Sequence, residues 1–296
     1  MCAYRPFLNQ QPHLSMAIKS LDEATWLEIG DEFDHQMAER HRLLDQHAAD
    51  VVDALPGSEA SQDELLALLL QHLADYHTDR YRVSPKGVEE RQSGRRFTLT
   101  DETHAPLMLI GRLVQEDFCL LQQRFSAYQL VAAVLCFPAH WQLCDKIGRS
   151  LIDIHKPVPG FANQLGQPIS RLFQRLDSRR PVQRLNWSLV DTSELYLPPS
   201  HRKAVVDITE ENAGARLWLR VERQTLRRLP VTSDIVFGIR THLTRLDDAL
   251  DDPSTAKALM MKIETIPAAM ADYKNLKRIK KPLKTYLERR FDQSSS

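Results

Sequence analysis

The sequence predicts an α+β fold: an antiparallel sheet with an extensive N-terminal helical region and C-terminal helices on one side. Three observations predict it. Apolar residues recur at helical spacing through most of the first 125 positions. From 184 to 243 they alternate instead, and over 247–290 the helical pattern returns.

Taken in order, Ser20 with Glu23 three residues on has the form of a capping box, opening a helix over LDEATWLEI. An acidic amphipathic helix is expected around 31–53, and a leucine-faced one over 63–77. Residues 80–100 contain Pro85, Gly87 and Gly94 and read as loop or short strands. Leu107, Ile110, Val114, Phe118 and Leu121 then follow helical spacing. YQLVAAVLCFP (128–138) is a continuous apolar run closed by proline, which suits a buried strand. Ile147, Leu151 and Ile154 mark a short helix ended by Pro157 and Pro159, with His155 at its C-terminal end.

RLNWSLV (184–190) alternates, with Leu185, Trp187 and Leu189 on one face. Residues 215–229 set Leu217, Leu219 and Val221 against Trp218, Arg220 and Glu222. Residues 234–243 set Ile235, Phe237, Ile239 and Leu243 against Val236, Arg240 and His242. The short PVTSD link makes these two strands a hairpin. Centred near Val231, the hairpin puts Glu222 opposite Arg240 and Arg220 opposite His242, a pairing that a one-residue slip would break. The final SSS reads as disordered.

Composition narrows the function. The chain has 296 residues, with 39 Lys+Arg against 39 Asp+Glu, which argues against a protein dominated by nucleic-acid binding. The balance is local cancellation. Residues 15–66 hold 13 acids and three bases, 216–245 hold seven arginines and two acids, and 271–290 hold eight bases and two acids. Such segregation can put a basic site on a neutral protein. No apolar run is long enough to span a membrane, and the N-terminus lacks the form of a secretory signal. Cys2, Cys119, Cys136 and Cys144 include no CxxC pair and read as reduced cytoplasmic thiols. GxGxxG, GxxxxGK[ST], GxSxG and HExxH are all absent, so nucleotide cradles, a nucleophile elbow and a zincin site are not indicated.

Two constellations remain. A helix C-terminus favours the protonated imidazole, and it leaves the His155 ring free to point toward a ligand; a lone histidine is more often structural. The arginine-rich hairpin, with Glu222 as a lone acid, could bind carboxylates or phosphates, or could equally be a solvated face.

At these residues the sequence resembles the heme-dependent oxidative N-demethylase alpha-subunit-like family, over nearly the whole chain. The resemblance is carried by YRPF (4–7), MAIKSLDEATWLEI (16–29), GRLVQEDFCLL (111–121), LCFPAHWQLCDKIGRSLIDIHKPVPGF (135–161), LNW (185–187), RVERQTLRRLPVT (220–232), IRTHL (239–243) and IPAAMADYKNL (266–276). Ala17 and Gly30 depart from the expected glycine and acid, both away from the proposed site. The resemblance implies a single domain over 1–296, made of a mainly helical region (1–127), a PAS-like core (128–246) and C-terminal helices and tail (247–296). It implies non-covalent heme b with His155 as the axial metal ligand; His104, His140 and His242 remain substitutes. On the same reading Arg220, Arg223 and Arg240 suit the heme propionates. Glu222 is the catalytic polar group of a distal pocket, there to organise water, accept a proton during oxygen activation or attract an ammonium substrate, or else it pairs with a neighbouring arginine. The implied activity is a monooxygenase reaction with O2 that demethylates a small methylated amine such as dimethylamine, releasing formaldehyde. With no cluster-type cysteine spacing and no flavin or nicotinamide motif, an oxygenase of this kind must draw its electrons from a separate reductase, and the resemblance implies that this reductase subunit carries flavin and an iron–sulfur cluster. The alternatives are a non-catalytic heme-based sensor or heme-binding PAS-like protein, and a scaffold that has lost heme.

Overall fold

A computed structural model describes residues 4–9, 12–99, 105–199 and 207–292. His104, Cys2 and the final SSS lie outside the described residues.

The chain opens with strand β1 (Lys19–Ser20), then helices α1 (Phe33–Gln46) and α2 (Ala48–Val51), strand β2 (Val52–Ala54) and helix α3 (Glu59–Tyr76). Ser20 is not a helix cap. It pairs with Val182, while the Asp22 side chain accepts from the Ala24 amide (3.2 Å) and caps a single 3-10 turn. Residues 80–100 supply a small antiparallel sheet of β3 (Tyr81–Ser84), β4 (Gly87–Glu90) and β5 (Arg96–Thr98).

The pattern expected to be one helix after Pro106 divides in two. Helix α4 (Pro106–Leu113) stops where Val114 turns extended, and strand β6 (Asp117–Arg124) follows. Phe118, Cys119, Leu120 and Leu121 are all buried. A strand covered on both faces makes a continuous apolar run that periodicity cannot tell from a buried helix. Strand β7 (Ala127–Val134) forms as expected.

A crossover from 135 to 181 carries the one-turn helix α5 (Leu151–Ile154), a π-helical turn (Ala162–Gly166) and helix α6 (Gln167–Arg175). Strands β8 (Val182–Val190), β9 (Trp218–Arg228) and β10 (Ile235–Arg245) complete the main sheet, with helix α7 (Ala213–Arg216) ahead of β9. Helices α8 (Leu246–Ala249), α9 (Pro253–Thr265), α10 (Ala268–Tyr273) and α11 (Lys280–Asp292) end the chain.

The main sheet is antiparallel in the order β1-β8-β9-β10-β6-β7-β2. Its faces follow from strand alternation. One face, with Leu219, Val221, Arg223 and Thr225 of β9, packs on the N-terminal and C-terminal helices through two apolar clusters. The other, with Arg220, Glu222, Gln224 and Leu226, is covered by the crossover, where Phe173, Leu176 and Ile154 meet Leu226, Ile235 and Ile239. Helices therefore lie on both faces, not one. The expectation overlooked how much apolar surface the crossover brings.

The hairpin register is one residue off the expected pairing. Arg240 faces Arg223, Thr241 faces Glu222, and His242 faces Val221. The link is six residues, Leu229 to Asp234, closed by Leu229 and Asp234 bonding to each other outside both strands. An even-numbered loop moves the centre half a residue beyond Val231, and the slip exchanges every side-chain pairing.

Candidate functional site

His155 sits directly after α5. The helix is started by Ser150, whose hydroxyl accepts from the Asp153 amide (3.2 Å), and it is too short to carry a useful dipole. The ring Nδ1 lies 2.8 Å from the Leu151 carbonyl. A carbonyl only accepts, so Nδ1 carries the hydrogen and Nε2 keeps a bare lone pair. Among the described residues no hydrogen bond engages Nε2. The left-handed turn at Gly160 (φ 76°) brings Phe161 back to stack on the imidazole at 4.2 Å and 8°. Burial pushes the His155 pKa down to about 4, opposed by the bond to Leu151 and assisted by the positive charges of Lys146 and Arg184. The proton-favouring helix end expected from the sequence is thus outweighed by desolvation.

Glu222 lies on the same crossover-covered face, near the middle of β9. Its Oε2 accepts from Asn186 Nδ2 (3.2 Å) and Gln224 Nε2 (2.9 Å). Asn186 is its direct cross-strand neighbour on β8. Among the described residues Glu222 forms no ion pair with any arginine, so the salt-bridge alternative is not realised.

The three arginines expected to act together are separated. Arg220 shares the face of Glu222, but its NH1 and NH2 donate to the carbonyls of Leu195 (3.1 Å) and Phe137 (2.7 Å). Arg223 and Arg240 project from the opposite face, because two strand positions of unlike parity cannot point the same way. Arg223 donates to Gln183 Oε1 (2.9 Å), the Trp26 carbonyl (3.2 Å) and the Thr25 carbonyl (2.5 Å), and lies 3.3 Å from Glu28. Arg240 donates to Gln36 Oε1 (2.5 Å) and the carbonyls of Thr241 (2.7 Å) and Glu28 (3.4 Å). These two arginines stitch the N-terminal segment to the sheet and do not converge with Glu222 or His155.

The substitute histidines fare likewise. His242 is on the Arg223 face, 3.0 Å from Glu28 Oε2, and the Tyr4 hydroxyl donates to the same carboxylate. Burial raises the Glu28 pKa, but His242, Tyr4 and Arg223 together hold it below the usual range. His140 adopts a left-handed backbone (φ 63°) and its amide donates to the Leu197 carbonyl (2.6 Å).

Residues that the sequence reading passed over do stand beside Glu222. Arg184 faces Gln224 across the β8–β9 pair. Lys274, just after α10, donates from Nζ to the Trp187 carbonyl on the free edge of β8. The signal for Arg184 and Asn186 was present in RLNWSLV, where they are the polar half of the alternation whose apolar half drew attention.

The face that carries Glu222, Asn186 and Arg184, with His155 held above it by the crossover, falls within the span of a family match. The family model of the haem-dependent oxidative N-demethylase, alpha subunit-like, matches residues 17–284. With that span covering most of its length, the chain belongs to the haem-dependent oxidative N-demethylase alpha-subunit-like family.

Proposed function

We propose that this protein is the heme b-binding oxygenase component of an oxidative N-demethylase, in which His155 would hold the heme iron, with a small methylated amine such as dimethylamine as substrate. The single observation that carries the reading is the state of His155. Its tautomer is set by Leu151, its ring is clamped by Phe161, burial keeps it neutral, and among the described residues Nε2 has no hydrogen-bond partner. A metal-bound imidazole needs that arrangement, with the second nitrogen anchored on an acceptor. The residues present therefore fit a heme iron approached from the crossover. The PAS-like reading of residues 128–246 is supported by the four long antiparallel strands β7 to β10, in one sheet with β6 just ahead of that span, and by the helical crossover between β7 and β8 lying over one face.

Heme, when bound, supplies O2 activation for insertion of one oxygen atom into an N-methyl C–H bond. The overall balance is amine, O2, two electrons and two protons going to the carbinolamine and water. The carbinolamine then collapses to formaldehyde and the demethylated amine. Glu222, held by two amides that leave Oε1 free, receives the ammonium form of the substrate and passes protons into the site. Electrons come from a separate cytoplasmic reductase subunit carrying flavin and an iron–sulfur cluster; the alpha-subunit-like description fits a multi-subunit enzyme.

The test is reconstitution with hemin. The wild type is expected to give a sharp Soret band, altered in His155→Ala. With a chemical reductant, O2 and dimethylamine it is expected to release formaldehyde, at least tenfold more slowly in Glu222→Gln. Identical spectra for wild type and His155→Ala would overturn the ligand assignment. Heme binding without formaldehyde from any of a panel of methylated amines would leave the sensor reading in its place.

A further inference from the structure

Arg184 is an anomaly on its face. Its Nε is buried with no hydrogen-bond partner, and among the described residues neither terminal nitrogen makes a hydrogen bond or ion pair. The neighbouring arginines behave otherwise. Arg220, Arg223, Arg227, Arg228 and Arg240 each donate to carbonyls or carboxylates. Arg184 does feel the negative charge of Glu222, but only at a distance, since Glu222 Oε2 is taken by Asn186 and Gln224. A guanidinium is costly to desolvate, and it is normally held in such a place by an anion that repays the cost.

A second cation stands close by. Lys274 spends one of its three donors on the Trp187 carbonyl and lies over the Trp187 ring at 5.3 Å. Burial lowers its pKa to about 8, with Glu222 opposing the shift and Arg184 adding to it. The charge of Arg184 is also felt at His155. Arg184, Lys274, Glu222 and His155 thus form one electrostatic neighbourhood with two cations and a single anion.

We infer that Arg184 and Lys274, and not Arg223 and Arg240, receive the carboxylate arms of the porphyrin. The inference rests on the heme reading above and deepens it. Arg184 offers a planar fork that matches one carboxylate, and Lys274 offers two unused donors at the sheet edge, where a carboxylate also remains in reach of water. Arg184 projects from β8 on the face of Glu222 and Lys274 reaches the Trp187 carbonyl of the same strand, so both cations offer their donors along β8.

The experiment compares hemin with its dimethyl ester, in which both carboxylates are neutral, by Soret titration of the apoprotein. The wild type is expected to bind hemin at least tenfold more tightly than the diester. Arg184→Gln and Lys274→Met are each expected to weaken hemin binding by about ten- to a hundredfold, the range of a lost charge-assisted hydrogen bond, and to leave the diester unaffected. Equal wild-type affinity for hemin and diester would overturn the inference without any variant having to fold. So would variants that bind hemin like the wild type, while an intact dependence on His155 left the heme reading standing. Failure of the wild type to bind either porphyrin would overturn both.

Discussion

Replacing Arg40 by Met should test how the crossover is anchored. Arg40 is fully buried in α1, and its NH1 lies 2.6 Å from Asp117 Oδ1 at the start of β6. Its Nε donates to the Gly111 carbonyl (3.0 Å) and NH1 also to the Gln115 carbonyl (3.3 Å). Asp117 in turn accepts from the amides of Cys136 (2.7 Å) and Phe137 (2.9 Å), where β7 ends and the crossover toward His155 begins. Arg40→Met keeps most of the apolar volume but leaves a buried carboxylate with two amide donors and no ion-pair partner, only the more distant charge of Arg220. Removing one partner of a buried pair costs about 3–5 kcal/mol. Asp117→Asn, which keeps one acceptor for the two amides, should cost about 2–4 kcal/mol. The double variant should be less destabilised than the sum of the singles by about 1–3 kcal/mol, because the second change no longer strands a charge. Urea unfolding followed by tryptophan fluorescence measures all three. A loss under about 1 kcal/mol for Arg40→Met, or strict additivity in the double variant, would refute the claim that this pair ties α1 to the crossover.

Other expectations follow from the same geometry. Arg223→Gln should cost about 2–4 kcal/mol of stability through lost bonds to Thr25, Trp26 and Glu28, yet leave hemin affinity unchanged, because it acts on the far face; a Soret titration beside an unfolding curve separates the two. Gly238→Ala should destabilise by about 1–3 kcal/mol, since an added Cβ would lie 2.6 Å from Thr225 Oγ1 and 3.0 Å from Phe118 Cε1, a loss readable as a lower thermal midpoint. His72 is buried against Trp26 with neither ring nitrogen bonded among the described residues, and burial pushes its pKa from 6.5 down to about 4. Between those values the unfolded chain takes up a proton that the folded chain refuses. The stability contribution is thus whole above about pH 6.5 and is lost as the pH falls toward about 4, on the order of 3 kcal/mol. His72→Phe should remove that part of the acid sensitivity, and unfolding free energies matching the wild type at both ends of the window would contradict it.

Much of the architecture was legible in the residues. The strands β7 to β10, the short helix before His155 and the C-terminal helices follow from local periodicity, a property of neighbours in sequence. The misses are of one kind. The Leu107–Leu121 run reads as helix because a strand buried on both faces loses its alternation. Ser20 reads as a cap until β8 claims it as a strand partner. The sequence offers His155 and Glu222 as candidates but not the side chains that the structure sets around them. Asn186, Arg184 and Lys274 come from β8 and the end of α10, and only a register and an edge bring them to β9.

The sequence by itself determined the α+β class, the family and the candidate pair of His155 and Glu222, because these rest on local spacing and contiguous motifs. Tertiary structure alone decided on which side of Glu222 the arginines of the neighbouring strands, Arg240 and Arg184, fall. A one-residue difference in hairpin register is invisible in composition and nearly so in pattern, yet it sends Arg240 to the Arg223 side of the sheet, while the separate β8–β9 register sets Arg184 on the Glu222 side. It also decided the charge state of His155, since burial, which no linear pattern measures, outweighs the helix end that the sequence displays.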